Sequence, residues 1–261
     1  MDLGLKGKRV IITAGANGIG LELARFFMAE GALVDVCDVD EEALNCLPKG
    51  ITGSVCDVSD PESVESYVAQ AILRIGGLDV LINNAGISGP TQLLEDIDVS
   101  DWEKVLDVNL TGVFHVSRCA IPHLKKGANP SMVLMSSLAG RVGFPYRSAY
   151  ATSKWGIVGL TKSLSMELGV HGIRVNCIQP GAVDNSRFRL VMNTRSNKSG
   201  KSPDAEIELA MRNQSIKQLV NMKEIAALVA FLSSDLATSI SGQAIAIDCD
   251  AQMTAEPVCL L

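Results

Sequence analysis

Tyr150 and Lys154 stand four residues apart in Tyr150-Ala151-Thr152-Ser153-Lys154, a spacing that puts a phenol and an ammonium on one face of a helix. A tyrosine titrates at about 10 in water and is a poor base at neutral pH, but a neighbouring cation favours its phenolate. Such a pair can exchange a proton with a substrate oxygen. Taken alone, a Tyr/Lys pair at this spacing is more often an ordinary helix surface pair. Upstream, however, the apolar run Met132 to Met135 ends in Ser136-Ser137. That sets a hydroxyl at the carboxyl edge of a strand, where open α/β sheets bind ligands.

A second group of residues is suited to holding a nucleotide. The apolar run Arg9 to Thr13 leads into Thr13-Ala14-Gly15-Ala16-Asn17-Gly18-Ile19-Gly20 and then a helical pattern. Backbone amides at a helix N-terminus can face a diphosphate there with no side chain in the way. The bland alternative is a tight strand-to-helix connection and nothing more. Asp38 ends the next apolar run, at the distance where an acidic residue accepts bonds from adenosine ribose hydroxyls. A carboxylate there repels a 2′-phosphate, and no Arg or Lys adjoins it or the glycine turn. The expected cofactor is therefore NAD. Against this stands a plain strand-end carboxylate with Asp35 and Asp40 as neighbours.

Positioning these groups requires a sheet. Runs rich in Val and Ile recur at Arg9 to Thr13, Leu33 to Cys37, Ile51 to Cys56, Val80 to Ile82, Met132 to Met135, Arg174 to Ile178 and Ala244 to Ile247. Between them, Leu21 to Glu30, Ser63 to Ile75, Trp102 to Leu124, Ala149 to Leu168 and Lys223 to Ser233 carry apolar residues at threes and fours. Asp60-Pro61-Glu62 and Ser100-Asp101-Trp102-Glu103 read as capped helix starts. The rhythm is that of an α/β fold: one Rossmann-like, doubly wound parallel sheet with helices on both faces, spanning residues 1–261 as a single NAD(P)-binding domain. The polar stretch at about 184–217 breaks the rhythm and is expected to be a substrate loop.

Composition narrows the partners. The net charge of -6 and the lack of a Lys/Arg block argue against nucleic acid. No apolar run is long enough to span a membrane, and residues 1–7 are too short for a signal peptide, so a cytoplasmic protein is expected. The seven cysteines never occur as C-x-x-C, which suggests reduced thiols. His115, His123 and His171 show no metal-ligand spacing, and no metal is expected. Trp102 and Trp155 read as packing or subunit-contact residues.

With the glycine turn, Asp38, Asn83-Asn84-Ala85-Gly86, Ser137 and Tyr150-x-x-x-Lys154 all in order, the chain resembles the short-chain dehydrogenase/reductase family over nearly its full length. The resemblance implies that Tyr150 exchanges a proton with the substrate oxygen and that Lys154 binds the nicotinamide ribose and lowers the tyrosine pKa. It further implies that Ser137 bonds the substrate oxygen and that Asn109 anchors a water relay. Gly15, Asn17, Gly18, Ile19, Gly20, Asp38, Asn84, Ala85, Gly86, Tyr150 and Lys154 are then expected along the cofactor, with Asn83 beside them. Asp57 and Val58 border the adenine; Pro180, Gly181 and Val183 meet the nicotinamide end. Two positions depart from the family pattern. Ala14 replaces a usual glycine and is acceptable only at negative φ; Asn185 replaces a usual threonine.

The reaction implied is NAD-dependent interconversion of a secondary alcohol and a ketone, by a homotetramer meeting through the helices around Trp102 to Leu124 and Ala149 to Leu168. The alternative is a cofactor-binding protein of this fold without catalysis. Arg141 and Arg147 lie between Ser137 and Tyr150, and Arg187 opens the polar stretch. Guanidinium suits planar anions, so an anionic substrate held by Arg141, Arg147 and Arg187 is expected. The competing reading pairs Arg147 with an acidic residue across a subunit contact.

Overall fold

The apolar runs form the strands β1 (Arg9–Thr13), β2 (Leu33–Asp38), β3 (Ile51–Val55), β4 (Val80–Asn83), β5 (Ser131–Met135), β6 (Arg174–Pro180) and β7 (Ala244–Ile247). These come from a computed structural model, which describes residues 2–252 apart from the side chains of residues 187 and 198. The strands make one sheet in the order β3-β2-β1-β4-β5-β6-β7, and every neighbouring pair is parallel.

Because side chains alternate along a strand, each central strand feeds two cores. Val10, Ile12, Val80, Ile82, Val133 and Met135 point to one, while Ile11, Leu81, Met132 and Leu134 point to the other. The first core is closed by α1 (Gly18–Ala29) and α9 (Met222–Ser233), through Leu23, Phe27, Val229 and Ala230. The second is closed by α3 (Pro61–Ile75), α5 (Gly112–Leu124) and α6 (Ser148–Gly169), through Val64, Val116, Ile157 and Leu164. Full burial of a residue such as Phe27 or Leu81 stabilises by about 1.5–3 kcal/mol.

Asp60 caps α3 by accepting from the Glu62 N–H, with Pro61 in the first turn and Gly76 closing the helix at φ 77°. A short α2 (Glu41–Asn45), capped by Asp40, was not evident from periodicity. The stretch expected as one helix from Trp102 begins earlier and changes character midway. It runs as α4 (Val99–Leu106), a π turn over Asp107–Thr111, and then α5.

The polar stretch is also different from expectation. Instead of a loop it holds α7 (Ser186–Ser199) and α8 (Pro203–Met211). Asn185 caps the first by accepting from the Phe188 N–H at 2.8 Å, Gly200 ends it at φ 71°, and Ser202 with Pro203 starts the second. Among the described residues no helix is long and apolar enough to cross a membrane. The order of connections reverses at β1, since β2 and β3 lie on one side and β4 on the other. Connections therefore part at the carboxyl ends of β1 and β4 and leave a crevice there.

Candidate active site

The turn after β1 is fastened to the loop after β4. The Thr13 Oγ1 accepts from the N–H groups of Asn84 and Ala85 at 3.0 and 2.9 Å. The Asn84 amide donates to the carbonyls of Thr13 and Ala14, both at 3.0 Å. Gly15 is needed because a Cβ would lie 2.5 Å from the Val36 side chain, and Gly20 because a Cβ would meet the Ala14 carbonyl. Gly18 is different: it has φ 53° and faces open space. Asn17 is the N-cap residue of α1 but makes no side-chain cap; its amide donates to Asp40 at 3.1 Å. The first N–H groups of α1 are thus not covered by a cap. Ile19 packs on the core beneath.

Ala14 corrects an expectation. It sits at φ 50°, the left-handed region, not at the negative φ its side chain prefers. The turn keeps its glycine-like path and the alanine carries the strain. Asp38 lies against the same turn, with one carboxylate oxygen accepting from the Ala16 N–H at 3.1 Å and the other from the Asp40 N–H at 3.2 Å.

Asn109 is buried in the π turn, a distortion often found at functional sites. Its Oδ1 accepts from the Ile87 N–H at 2.7 Å, and its Nδ2 donates to the Ile87 carbonyl at 3.0 Å and to Ser153 Oγ at 3.1 Å. The Ser153 hydroxyl in turn donates to the Tyr150 carbonyl at 2.7 Å. Lys154 is buried, with Nζ donating to the Met135 carbonyl at 2.8 Å and lying 5.7 Å from the centre of the Tyr150 ring. Ser136 donates to the Lys154 carbonyl at 2.8 Å. Ser137 is half-buried at the end of β5, and its Oγ accepts from the Ala139 N–H at 3.2 Å. The hydroxyl proton of Ser137 therefore remains to be donated.

A dinucleotide fits these residues. A Cβ on Gly86 would stand 3.2 Å from Asn109 Oδ1 and 3.3 Å from Lys154 Nζ, so amide and ammonium converge on a bare strip of backbone. Lys154 offers donors to ribose hydroxyls, the uncapped start of α1 suits a diphosphate, and Asp38 offers acceptors.

Comparison with known proteins agrees with that chemistry. A family model described as enoyl-(acyl carrier protein) reductase matches residues 13–249. The chain belongs to the short-chain dehydrogenase/reductase family. It is 35% identical over 251 residues to the 3-oxoacyl-[acyl-carrier-protein] reductase of Thermotoga maritima, covering 94% of this chain and 97% of that one. Among solved structures it is similar to a variant of actinorhodin polyketide ketoreductase with NADPH, at TM-score 0.87 and 32% identity, covering 92% of this chain and 95% of that chain. It is equally similar in fold to an NAD+-bound xylitol dehydrogenase, at TM-score 0.87 and 28% identity, covering 93% and 98%.

The remaining residues expected in a short-chain dehydrogenase/reductase site vary in placement. Asp57 is exposed, and its carboxylate accepts from the N–H and the hydroxyl of Ser59 at 2.9 and 2.6 Å. Val58 is buried against Gly112, and its carbonyl bonds the His115 ring. Asn83 is buried, donates to Ser117 at 3.1 Å and leaves its Oδ1 without a partner. Pro180 ends β6, Gly181 donates to the Ile247 carbonyl at 3.0 Å, and Val183 bridges Val220 below α7.

The arginines separate. Arg141 donates through one nitrogen to Asp248 at 2.6 Å and to the Ala251 carbonyl. The Arg187 side chain lies outside the described residues. Arg147 is buried beside the catalytic candidates, with its guanidinium carbon 5.3 Å from the centre of the Tyr150 ring. Thr13, Ser136 and Ser153 escaped the sequence reading. They fix the site only through partners distant in the chain or through backbone carbonyls, and no local pattern marks them.

Proposed function

We propose that this member of the short-chain dehydrogenase/reductase family is an NAD-dependent oxidoreductase that interconverts a secondary alcohol and its ketone, with Tyr150 as general acid and base. The observation that carries the reading is the unbroken set of ties joining Tyr150, Lys154, Asn109 and the Ser137 end of β5. Bound NAD supplies the hydride acceptor for oxidation, and its reduced form the donor for the reverse. Tyr150 takes the hydroxyl proton of the substrate as a carbonyl forms and returns it in reduction. Lys154 offers its charge to the phenolate so formed and its donors to the nicotinamide ribose. Ser137 donates to the substrate oxygen and holds it near Tyr150.

Relatives of this fold use either nicotinamide dinucleotide; Asp38 supports NAD here, because its carboxylate repels a 2′-phosphate. The complete catalytic set argues against a binding protein without catalysis. A tetramer and a cytoplasmic location belong to the same reading, and exposed Phe114 and Trp155 on α5 and α6 support the former. The test is a panel of secondary alcohols with NAD and with NADP, followed at the NADH absorbance band, using wild type and Tyr150→Phe. Turnover should fall by about a hundred- to ten-thousand-fold in the variant while NADH binding survives. A wild-type preference for NADP would overturn the cofactor assignment. A variant within about tenfold of wild type would overturn the role of Tyr150.

A further inference from the structure

Arg147 occupies the N-cap position of α6, three residues before Tyr150, but its side chain does not cap the helix. It is 8% exposed, and among the described residues it forms no ion pair with a carboxylate. Its donors go to the chain itself. One terminal nitrogen reaches the Ser88 carbonyl at 2.9 Å and the other reaches Thr91 Oγ1 at 3.3 Å. The guanidinium carbon lies over two rings, 5.6 Å from the centre of Phe144 and 5.3 Å from that of Tyr150. Burying a cation among neutral partners is costly. Ring faces offset part of that cost, since their quadrupoles attract a positive charge.

The turn that delivers Arg147 is itself strained. Tyr146 sits at φ 62°, in the left-handed region that bulky residues avoid, and its carbonyl accepts from the Gln92 N–H at 2.9 Å. Tyr146 and Arg147 thus make three ties to residues 88–92, all between groups distant in the chain. The near end of the same segment belongs to the site already described. Asn109 holds both the N–H and the carbonyl of Ile87, and a Cβ on Gly86 would stand 3.3 Å from Lys154 Nζ. In its middle Gly89 takes φ 65° and lies so close to Val105 of α4 that a Cβ would meet it at 2.5 Å. Residues 86–92 therefore run from Asn109 and Lys154 to Arg147, and Arg147 joins their far end to the face of Tyr150. A planar fork suits this double task, because it can lie over a ring and reach two separate oxygens, whereas an ammonium offers no plane.

We infer that Arg147 is a positioning residue of the Tyr150 site: its sealed guanidinium couples residues 88–91 to the Tyr150 ring and sets the direction of the phenol toward the substrate oxygen. The inference rests on the reading of Tyr150 as acid and base. Ser153 bonds the Tyr150 carbonyl and so fixes backbone, not ring. The ring is left to its side-chain neighbours, Arg147 and Lys154. Both terminal nitrogens of Arg147 are engaged and Nε is buried without a partner, so its influence on the reaction passes through Tyr150 and not through a contact with substrate.

The test uses the full chain labelled with 3-fluorotyrosine. There are three tyrosines, and Tyr150→Phe and Tyr67→Phe assign their fluorine signals by disappearance. In Arg147→Gln the Tyr150 signal should move, while that of Tyr67, buried on α3, should stay. Kinetics are read with NAD and the panel of secondary alcohols, cyclohexanol and 1-phenylethanol among them. In Arg147→Gln kcat should fall by about ten- to a hundredfold, with the KM for the alcohol and the affinity for NADH within about twofold of wild type. Arg147→Lys should recover little of the loss. Should Arg147→Gln fail to fold, Phe144→Leu carries the test, since it removes one of the two rings and spares the bonds to residues 88–91. The Tyr150 signal should again move, with a loss of about two- to fivefold in kcat.

A raised KM with kcat preserved would overturn the inference in favour of an arginine that binds substrate. An unmoved Tyr150 signal, a kcat unchanged in the variant that folds, or full turnover in Arg147→Lys would overturn it as well. So would loss of turnover and NADH affinity in equal measure, the behaviour of a general brace. The two readings fail separately. If wild type turns over no alcohol but the Tyr150 signal moves when the guanidinium is removed, the reaction assignment falls and the coupling stands. If alcohols are turned over and neither the signal nor kcat responds, only the coupling falls.

Discussion

The Ser136 hydroxyl donates to the Lys154 carbonyl at 2.8 Å, while the Lys154 ammonium donates back to the Met135 carbonyl at 2.8 Å. This reciprocal clamp joins the end of β5 to α6, and so fixes Ser137 relative to Tyr150. Gly140 makes the clamp possible, because a Cβ there would run into the Ser136 hydroxyl and stand 2.7 Å from the Lys154 carbonyl.

Gly140→Ala should therefore spread the clamp. A misplacement of about 1 Å can cost on the order of a hundredfold in rate, so kcat should fall by about ten- to a hundredfold, accompanied by a lower melting temperature. Steady-state kinetics and a thermal melt read both. A kcat within about twofold of wild type would show that the clamp does not set catalytic geometry.

Asp38 accepts from the Ala16 N–H, and in the proposed function it also faces the adenosine ribose. Asp38→Ser keeps a short acceptor for the turn but removes the charge. The KM for NAD should rise by about tenfold or more, and the ratio of NAD to NADP efficiency should fall by at least as much. Unchanged cofactor preference in the variant would sink the electrostatic argument for NAD.

The sheet was legible because its central strands are buried on both faces and so read as short, mostly apolar runs. The pairing of Tyr150 with Lys154 was legible because helical spacing is local. What stayed hidden depends on contacts far apart in sequence. The partner of Arg141 is Asp248, 107 residues away. α7 and α8 were concealed by their wide polar faces. Asn185, a departure from the family pattern, proves to be a helix cap. The π turn at Asn109 leaves no trace in composition, since it shifts hydrogen bonds without changing the apolar rhythm.

A pH dependence of stability follows from Asp79. Burial pulls this carboxyl up, but the side chain and N–H of Arg9 and the N–H of Ala128 outweigh burial and hold it below its ordinary value. A depressed folded pKa means the unfolded chain binds the proton more readily. The stabilisation is complete above the unfolded value of about 3.9 and is lost as pH falls through the lower folded value. Asp79→Asn should cost about 2 kcal/mol at neutral pH, the scale of hydrogen bonds to a charged group. The difference from wild type should vanish in strong acid. Urea melts at a series of pH values measure this; a difference that persists undiminished below the folded pKa would refute it.

Ala14 gives a prediction of opposite sign, a substitution that should stabilise. At φ 50° the alanine Cβ crowds the following carbonyl oxygen, a cost of about 1–2 kcal/mol that glycine does not bear. Glycine also gains freedom in the unfolded chain, which offsets part of the benefit. Ala14→Gly should raise the stability by about 0.5–1 kcal/mol net. For a chain of this size that is a rise of roughly 1–4 °C in Tm. The turn geometry itself is held by Asn84, whose amide grips the Thr13 and Ala14 carbonyls in either variant. The KM for NAD should accordingly remain within about twofold of wild type, since the conformation is preserved and only its strain is removed. A thermal melt in matched buffer decides the matter. A drop in Tm would mean that Ala14 does not occupy the left-handed region and that the turn follows another path.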